Sequence, residues 1–226
     1  MKGWVIPPKH SARFVWRMEE VLDLYEEPYD PKRPVVCFDE RPCQLLAEVR
    51  EPSAMGRGRP ERRDHEYQRR GTAHLFVAFE PSSGWRSARV AERRRGCEFA
   101  EEARYLAEEV YPEAEKIRLV VDNLNVHTPA AFYESFPPEQ AHRLARRIEF
   151  CYTPVHGSWL NMAEIEISVL VRQCLGGRRI PDAETLRREA LAWSEARNRS
   201  GASVEWRFTT ADARTKLRKL YPSIEP

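Results

Sequence analysis

Cysteine is sparse in this chain, and its placement excludes two classes at once. The five residues, an odd number, include no Cys-x-x-Cys pair and no zinc-like spacing with histidine, so neither a disulfide scaffold nor a zinc site is expected. Cys37 and Cys151 fall in strand-like runs and Cys174 on a helical stripe, where a thiol acts as a small core hydrophobe. No apolar run reaches the length that spans a bilayer and no secretory signal is visible, which points to the cytoplasm and away from a membrane partner. Repeats and low-complexity tracts are missing too. Net charge is small: 37 basic against 35 acidic residues leave +2, so bulk charge says little about a nucleic-acid partner. No serine or cysteine stands with an oriented base, as a nucleophilic hydrolase requires.

What is present is a set of acids in suggestive places. Two apolar runs each end in aspartate, Val35-Val36-Cys37-Phe38-Asp39 and Leu119-Val120-Val121-Asp122. Short β-branched runs bounded by turn residues read as buried strands, and ligands gather where such strands end. If the two runs are parallel neighbours, Asp39 and Asp122 lie side by side and repel each other unless a cation neutralises them. Magnesium suits hard oxygen ligands and is usually held by one or two carboxylates with water and phosphate oxygens.

A third carboxylate comes from a helical segment, Ser158 to Cys174. Leu160, Ala163, Ile167, Leu170 and Cys174 recur at three- and four-residue steps and define its buried stripe. At roughly 100° per residue, Glu164 lies roughly 60° from the centre of that stripe and Glu166 roughly 100° away. Glu164 therefore borders the core and can reach a sheet edge, whereas Glu166 is expected in solvent.

The order of elements suggests one α/β domain. Extended segments are expected at Val35 to Asp39, Gln44 to Val49, Ala73 to Phe79 and Trp85 to Val90, then a helix from about Glu98 to Val110. Strand Ile117 to Asp122, a helix announced by Thr128-Pro129, strand Ile148 to Tyr152, the Glu164 helix and a helix over about Asp182 to Asn198 follow. Strands first, then strands and helices in turn, imply a mixed sheet with helices on both faces. A length of 226 residues buries one sizeable core and falls short of two full domains.

Three wordings occur in order: Cys37-Phe38-Asp39-Glu40; Val121-Asp122-Asn123 with His127; and Thr153-Pro154 followed by Ser158-Trp159-Leu160-Asn161-Met162-Ala163-Glu164. Together they resemble a mariner-related bacterial insertion-sequence transposase and, more broadly, the DDE superfamily of endonucleases. The likeness runs from about Trp4 to the Leu217 region. It implies a ribonuclease-H-like fold whose catalytic, metal-binding triad is Asp39, Asp122 and Glu164. It also implies two Mg2+ or Mn2+ ions, with Asp39 bridging both, and phosphoryl transfer that cleaves DNA and then joins the freed 3′-hydroxyl to a target. The partners implied are double-stranded DNA, as element ends and as target, and a second copy of the chain, since paired-end transposition generally requires two active sites. A nuclease that only hydrolyses and a catalytically silent DNA-binding remnant are the alternatives.

Two departures from the family pattern stand out. There are 41 residues between Asp122 and Glu164, more than is usual among mariner relatives, and the extra length is placed at Pro137 to Arg147. The usual Asn-Pro-Ile-Glu is replaced by Asn161-Met162-Ala163-Glu164, with Ser158 expected to cap the helix. Such transposases also begin with helix-turn-helix modules that recognise element ends. Here residues 1–34 hold an amphipathic helix, Ser11 to Glu27, and a turn-rich segment resembling the linker before a catalytic domain at 35–226. A truncated element, one reading frame of a split gene, or an isolated catalytic fragment all fit this, and a separate end-recognising helix-turn-helix polypeptide is a further candidate partner.

Arginine supplies the remaining signal. Arg57, Arg59, Arg62 and Arg63, with Arg69 and Arg70, lie in a Gly- and Pro-containing segment without apolar periodicity, read as an exposed basic loop. Arginine forks grip phosphate, so this loop is a candidate nucleic-acid contact, although arginine outnumbers lysine 31 to 6 throughout the chain. Arg93 to Arg95 reads as a solvated turn. Trp85, Trp159, Trp193 and Trp206 are assigned to packing rather than to base stacking.

Overall fold

The structure, a computed structural model, describes residues 11–60, 62 and 64–223. Arg63 and the first ten residues of the N-terminal segment lie outside them. Five strands form one mixed sheet: β1 (Val35–Glu48), β2 (Tyr67–Glu80), β3 (Trp85–Ala91), β4 (Ile117–Val121) and β5 (Ile148–Tyr152), in the spatial order β3-β2-β1-β4-β5. The first three are antiparallel neighbours, and β4 and β5 run parallel to β1.

Alternation along the strands sorts their side chains to two faces. Val36 and Phe38 of β1 and Leu119 and Val121 of β4 pack with α2 (Gly96–Tyr105), α3 (Ala130–Ser135) and α4 (Pro138–Arg147). Cys37 and Val120 face the other way, against α1 (Ala12–Glu26), Leu160, Met162 and Ala163. On this second face α5 (Ala163–Leu170) and α6 (Ala183–Arg199) cover Leu75, Val77 and Ala88, and α7 (Thr210–Lys216) packs beside α1. Each large apolar side chain fully buried in these layers contributes roughly 1.5–3 kcal/mol. The mixed sheet covered on both faces is the expected α/β architecture.

The sequence reading also needs corrections. The strand that carries Asp39 does not end there: β1 continues to Glu48, still paired with β2, and the separate strand expected from Gln44 is its continuation past a bulge between Gln44 and Leu46. Only the parallel pairing with β4 stops before Asp39. The segment where the extra length was expected holds a helix, Pro138–Arg147, and α7 was not anticipated, its seven residues being too few for a periodic signal. Thr128 does not cap α3 with its side chain; its carbonyl accepts the Ala131 N–H at 3.1 Å instead. Ser11 and Asp182 do cap α1 and α6, accepting the backbone N–H of Phe14 and Thr185.

The basic segment is a hairpin rather than an irregular loop. Gly56 pairs with Arg59 and Ser53 with Arg62, with Gly58 supplying a left-handed turn residue at φ 73°. It tips an arm formed by the outer halves of β1 and β2, where Arg57, Arg59 and Arg62 are exposed. Arg179 clasps the base of the arm, pairing with Glu48 and donating to the carbonyls of Glu66 at 2.7 Å and Asp64 at 2.8 Å.

Candidate active site

Register brings the first two acids together. The parallel pairs Val35 with Arg118, Val36 with Leu119 and Cys37 with Val120 lead, two residues further on each chain, to Asp39 and Asp122. Both continue the face that carries Cys37 and Val120, which is the face that α5 covers. Glu164, half-buried, sits in the first turn of α5 on that side.

The helix is anchored to the strand by one buried amide. Asn161 donates from Nδ2 to the Phe38 carbonyl at 2.8 Å and accepts the Ala163 N–H on Oδ1 at 3.1 Å. The residue before Asp39 is thus tied to the residue before Glu164. Ser158 opens only a single 3-10 turn, Ser158–Leu160, so the expected Ser158 cap is replaced by this Asn161 bracket. Tyr25 of α1 adds a prop, donating to the Leu160 carbonyl at 2.6 Å.

Electrostatics link the three carboxylates. Burial pushes the Asp39 carboxyl up from 3.8 to about 7; the Glu40 N–H opposes this, while the charges of Glu40, Glu164 and Asp122 add to it. Asp122 moves the other way. Its carboxylate is held below the usual range chiefly by the His127 ring 2.8 Å away, against its partial burial, with help from the Leu124 N–H and the charge of Arg94.

His127, named in the sequence only as following Asp122-Asn123, lies against Asp122. It is fully buried against Phe38 and Phe99, with Nε2 2.7 Å from Glu40 Oε1. Its Nδ1 stands 2.8 Å from Asp122 Oδ1, off the direct N–H line. Burial alone would depress the imidazole, but the two carboxylates prevail and hold it at about 9, so it is a cation at neutral pH. Glu40, His127 and Asp122 therefore form a chain that orients Asp122 from beneath. The only sequence signals for it were the Asp-Glu and Asp-Asn wordings with His127 downstream.

Glu166 corrects the expectation that it is solvated. It is buried between two arginines, 2.9 Å from Arg86 Nε and 3.0 Å from Arg197 Nη2. That network joins β3, α5 and α6 and leaves Glu164 as the acid of this helix that faces Asp39.

Among the described residues, no three His, Cys, Asp or Glu side chains stand close enough to enclose one ion. The acids are thus an open set rather than a cage. Magnesium and manganese suit such a set, because one or two carboxylates suffice when water and phosphate oxygens complete the shell. Burial first, and the charges of Glu40, Glu164 and Asp122 after it, hold up the Asp39 carboxyl, and a cation would relieve that repulsion.

A strand order of 3-2-1-4-5 with acids at the end of the parallel pair defines a ribonuclease-H-like protein with a candidate metal-dependent nuclease site. The family model described as DDE superfamily endonuclease matches residues 34–187, and the chain belongs to that family. Among solved structures, the Mos1 mariner paired-end complex with Mn is similar at TM-score 0.56 and 17% identity, covering 89% of this chain and 62% of that one. The Mos1 strand transfer complex matches at TM-score 0.59 and 13% identity over 100% of this chain and 67% of that chain. The mariner Mos1 paired-end complex with Mg matches at 0.58 and 14% identity, over 99% and 67%. These likenesses confirm the ribonuclease-H-like fold, and the chain spans about three fifths of the first relative. Comparison with curated proteins gives no match. Among the described residues, no helix is long and apolar enough to cross a membrane.

Proposed function

We propose that this chain is the catalytic part of a mariner-related insertion-sequence transposase, cleaving and transferring DNA strands with Asp39, Asp122 and Glu164. The observation that carries it is their gathering on one face of the sheet, with Asp39 held near neutral pKa by burial and by the charges of its acidic neighbours. In this reading residues 1–34 form a linker and 35–226 the catalytic domain. Asp39, Asp122 and Glu164 would be the residues that hold two Mg2+ or Mn2+ ions. When bound, such ions lower the pKa of an attacking water or 3′-hydroxyl and stabilise the leaving oxygen of a phosphodiester.

The protein's own part is positioning. Asn161 fixes the Glu164 helix against β1, and His127 fixes the Asp122 carboxylate. Exposed Arg94 beside Asp122, and Arg57, Arg59 and Arg62 of the arm, with Arg63 next to them in sequence, supply cations for the DNA backbone, a contact that orients without reading sequence. Double-stranded DNA is the substrate, as element end and as target. The assembly is a homodimer.

The test is magnesium-dependent nicking of supercoiled plasmid, with a labelled 3′-hydroxyl strand supplied. Asp122→Ala and Glu164→Ala should lower the rate about 10²–10³-fold or more while the domain stays folded. Joined products indicate transfer, and fragments alone indicate a nuclease that only hydrolyses. Cleavage retained in Asp122→Ala would reject the site.

A further inference from the structure

Beyond Asp39, β1 leaves the body of the sheet and becomes one side of the arm, and the pairing register marks where the two part. Thr72 pairs with Gln44 and Arg69 with Leu46, so Arg70 and Gly71 of β2 together oppose Leu45. Such a bulge bends a two-stranded ribbon and interrupts its ladder, and Gly71 takes the positive φ there, 102°. The Leu46 N–H is taken by the Ile180 carbonyl at 2.8 Å. Two strands alone are marginal in water. The arm therefore needs a brace where it leaves the sheet.

Arg179 supplies it. Its guanidinium pairs with Glu48 on the β1 side, donates to the carbonyls of Asp64, His65 and Glu66 just before β2, and lies 5.4 Å from the ring centre of Tyr67. The side chain is only 15% exposed, whereas Arg57, Arg59 and Arg62 at the tip stand in solvent. One carboxylate and three carbonyls around a planar fork suit arginine, with its five donors, and not the compact ammonium of lysine. The brace comes from the segment that follows the Glu164 helix. There α5 runs into a π-helical turn, Val171–Leu175, and Gly176 and Gly177 turn the chain so that Arg179 and Ile180 meet the arm. Ile180, Leu170 and Cys174 share one buried cluster with Leu45 and Leu75, so the helix carrying Glu164 and the base of the arm are built on the same core.

We propose that Arg179 is a positioning residue for the DNA reaction: it holds the arm at a fixed angle to the triad, so that one duplex meets the arm arginines while a phosphodiester of the same duplex lies at Asp39. This rests on the DNA-cleaving reading of the triad and names the residue that joins the arm to it. The three exposed arginines of the tip select a polyanion rather than a protein surface. Nine residue steps along β1 separate Asp39 from Glu48, about 30 Å of extended strand. At about 3.4 Å per base pair, that reach sets the arm contact roughly nine or more base pairs from the cleaved bond. Arg179 directs its own donors into the arm, so it acts through Arg57, Arg59 and Arg62 and not on phosphate.

The test titrates labelled duplexes of about 8 and about 25 base pairs with the whole chain in EDTA, at several salt concentrations. On the long duplex Arg179→Ala should weaken binding about five- to tenfold and lower the salt slope as far as joint alanine replacement of Arg57, Arg59 and Arg62 does. The combined variant should bind no more weakly than the triple one, because both changes remove the same contact. Arg179→Lys keeps the charge and should still behave as Arg179→Ala. The short duplex cannot reach from the triad to the tip, so Arg179→Ala should bind it within about twofold of the wild type. Additive losses on the long duplex, or an unchanged slope in Arg179→Ala, would overturn the assignment. An equal loss on the short duplex would overturn it too, as general damage to the fold, and so would lost self-association at unchanged slope, which gives the arm to a second copy. Plasmid nicking with magnesium by the wild-type chain separates the two claims: additive losses with nicking reject the Arg179 role alone, and non-additive losses without nicking reject the catalytic reading alone.

Discussion

At the scale of single residues, the account depends on charges held where water would not place them. Asp39 keeps its proton to about pH 7, whereas the unfolded chain releases it near 4. Between these values the folded state binds more protons than the unfolded state, so raising the pH removes stability from the metal-free protein. A divalent cation replaces that proton and relieves the repulsion. Magnesium should therefore raise the melting temperature more at pH 8 than at pH 6, and equal increments at both would count against a metal at Asp39. His127 adds a second residue-level expectation. A group that orients a metal-binding carboxylate typically controls metal affinity or activity about 10–100-fold. His127→Gln, which keeps bulk and loses the positive charge, should weaken magnesium activation by that order in a metal titration of nicking. An unchanged titration would reduce His127 to packing.

The apolar runs and the position of Asp39 and Asp122 were legible in the residues, because β-branched runs and alternation are local signals. The role of His127 was not legible, because Glu40 lies 87 residues away along the chain and meets it only in the fold.

At the scale of elements, the helix that carries Glu164 shows where periodicity succeeds and fails. The stripe of Leu160, Ala163, Ile167, Leu170 and Cys174 is buried as the spacing requires. Glu166 is buried too, because two arginines from distant elements neutralise it, and helical angle alone carries no information about such partners. The neighbouring glutamates should therefore respond oppositely to substitution. Removing one partner of a buried charge network leaves the other uncompensated, so Glu166→Ala should cost about 3–5 kcal/mol of stability in urea unfolding. Glu164→Ala, at a half-exposed position, should change stability by less than about 1 kcal/mol while abolishing cleavage. Loss of stability in Glu164→Ala with cleavage intact would reverse the two roles. The start of α5 was misjudged for a related reason: Ser158 has the composition of a cap, but the buried Asn161 bracket to Phe38 decides where the helix begins.

At the scale of the molecule, the order of strands and helices led to a mixed sheet covered on both faces, and the parallel neighbours β1 and β4 are those the Asp-ending runs required. The β1 side of the long arm was expected as the extended segment from Gln44, but the β2 side was not visible, since Tyr67 to Thr72 is exposed on both faces and lacks the alternation that a packed face imposes. Its exposed arginines give an electrostatic expectation. Replacing Arg57, Arg59 and Arg62 together by alanine should weaken DNA binding evenly across sequences and lower the slope of log affinity against log salt by up to about 3. A slope that does not change would remove the arm from the DNA interface.

The most direct test of the whole is anomalous diffraction from crystals of the chain grown with manganese and a cleaved DNA end. The account predicts manganese density against Asp39, shared with Asp122 or Glu164 and with a phosphate oxygen. Manganese bound elsewhere, with Asp39 left without a metal neighbour at pH 8, would contradict it.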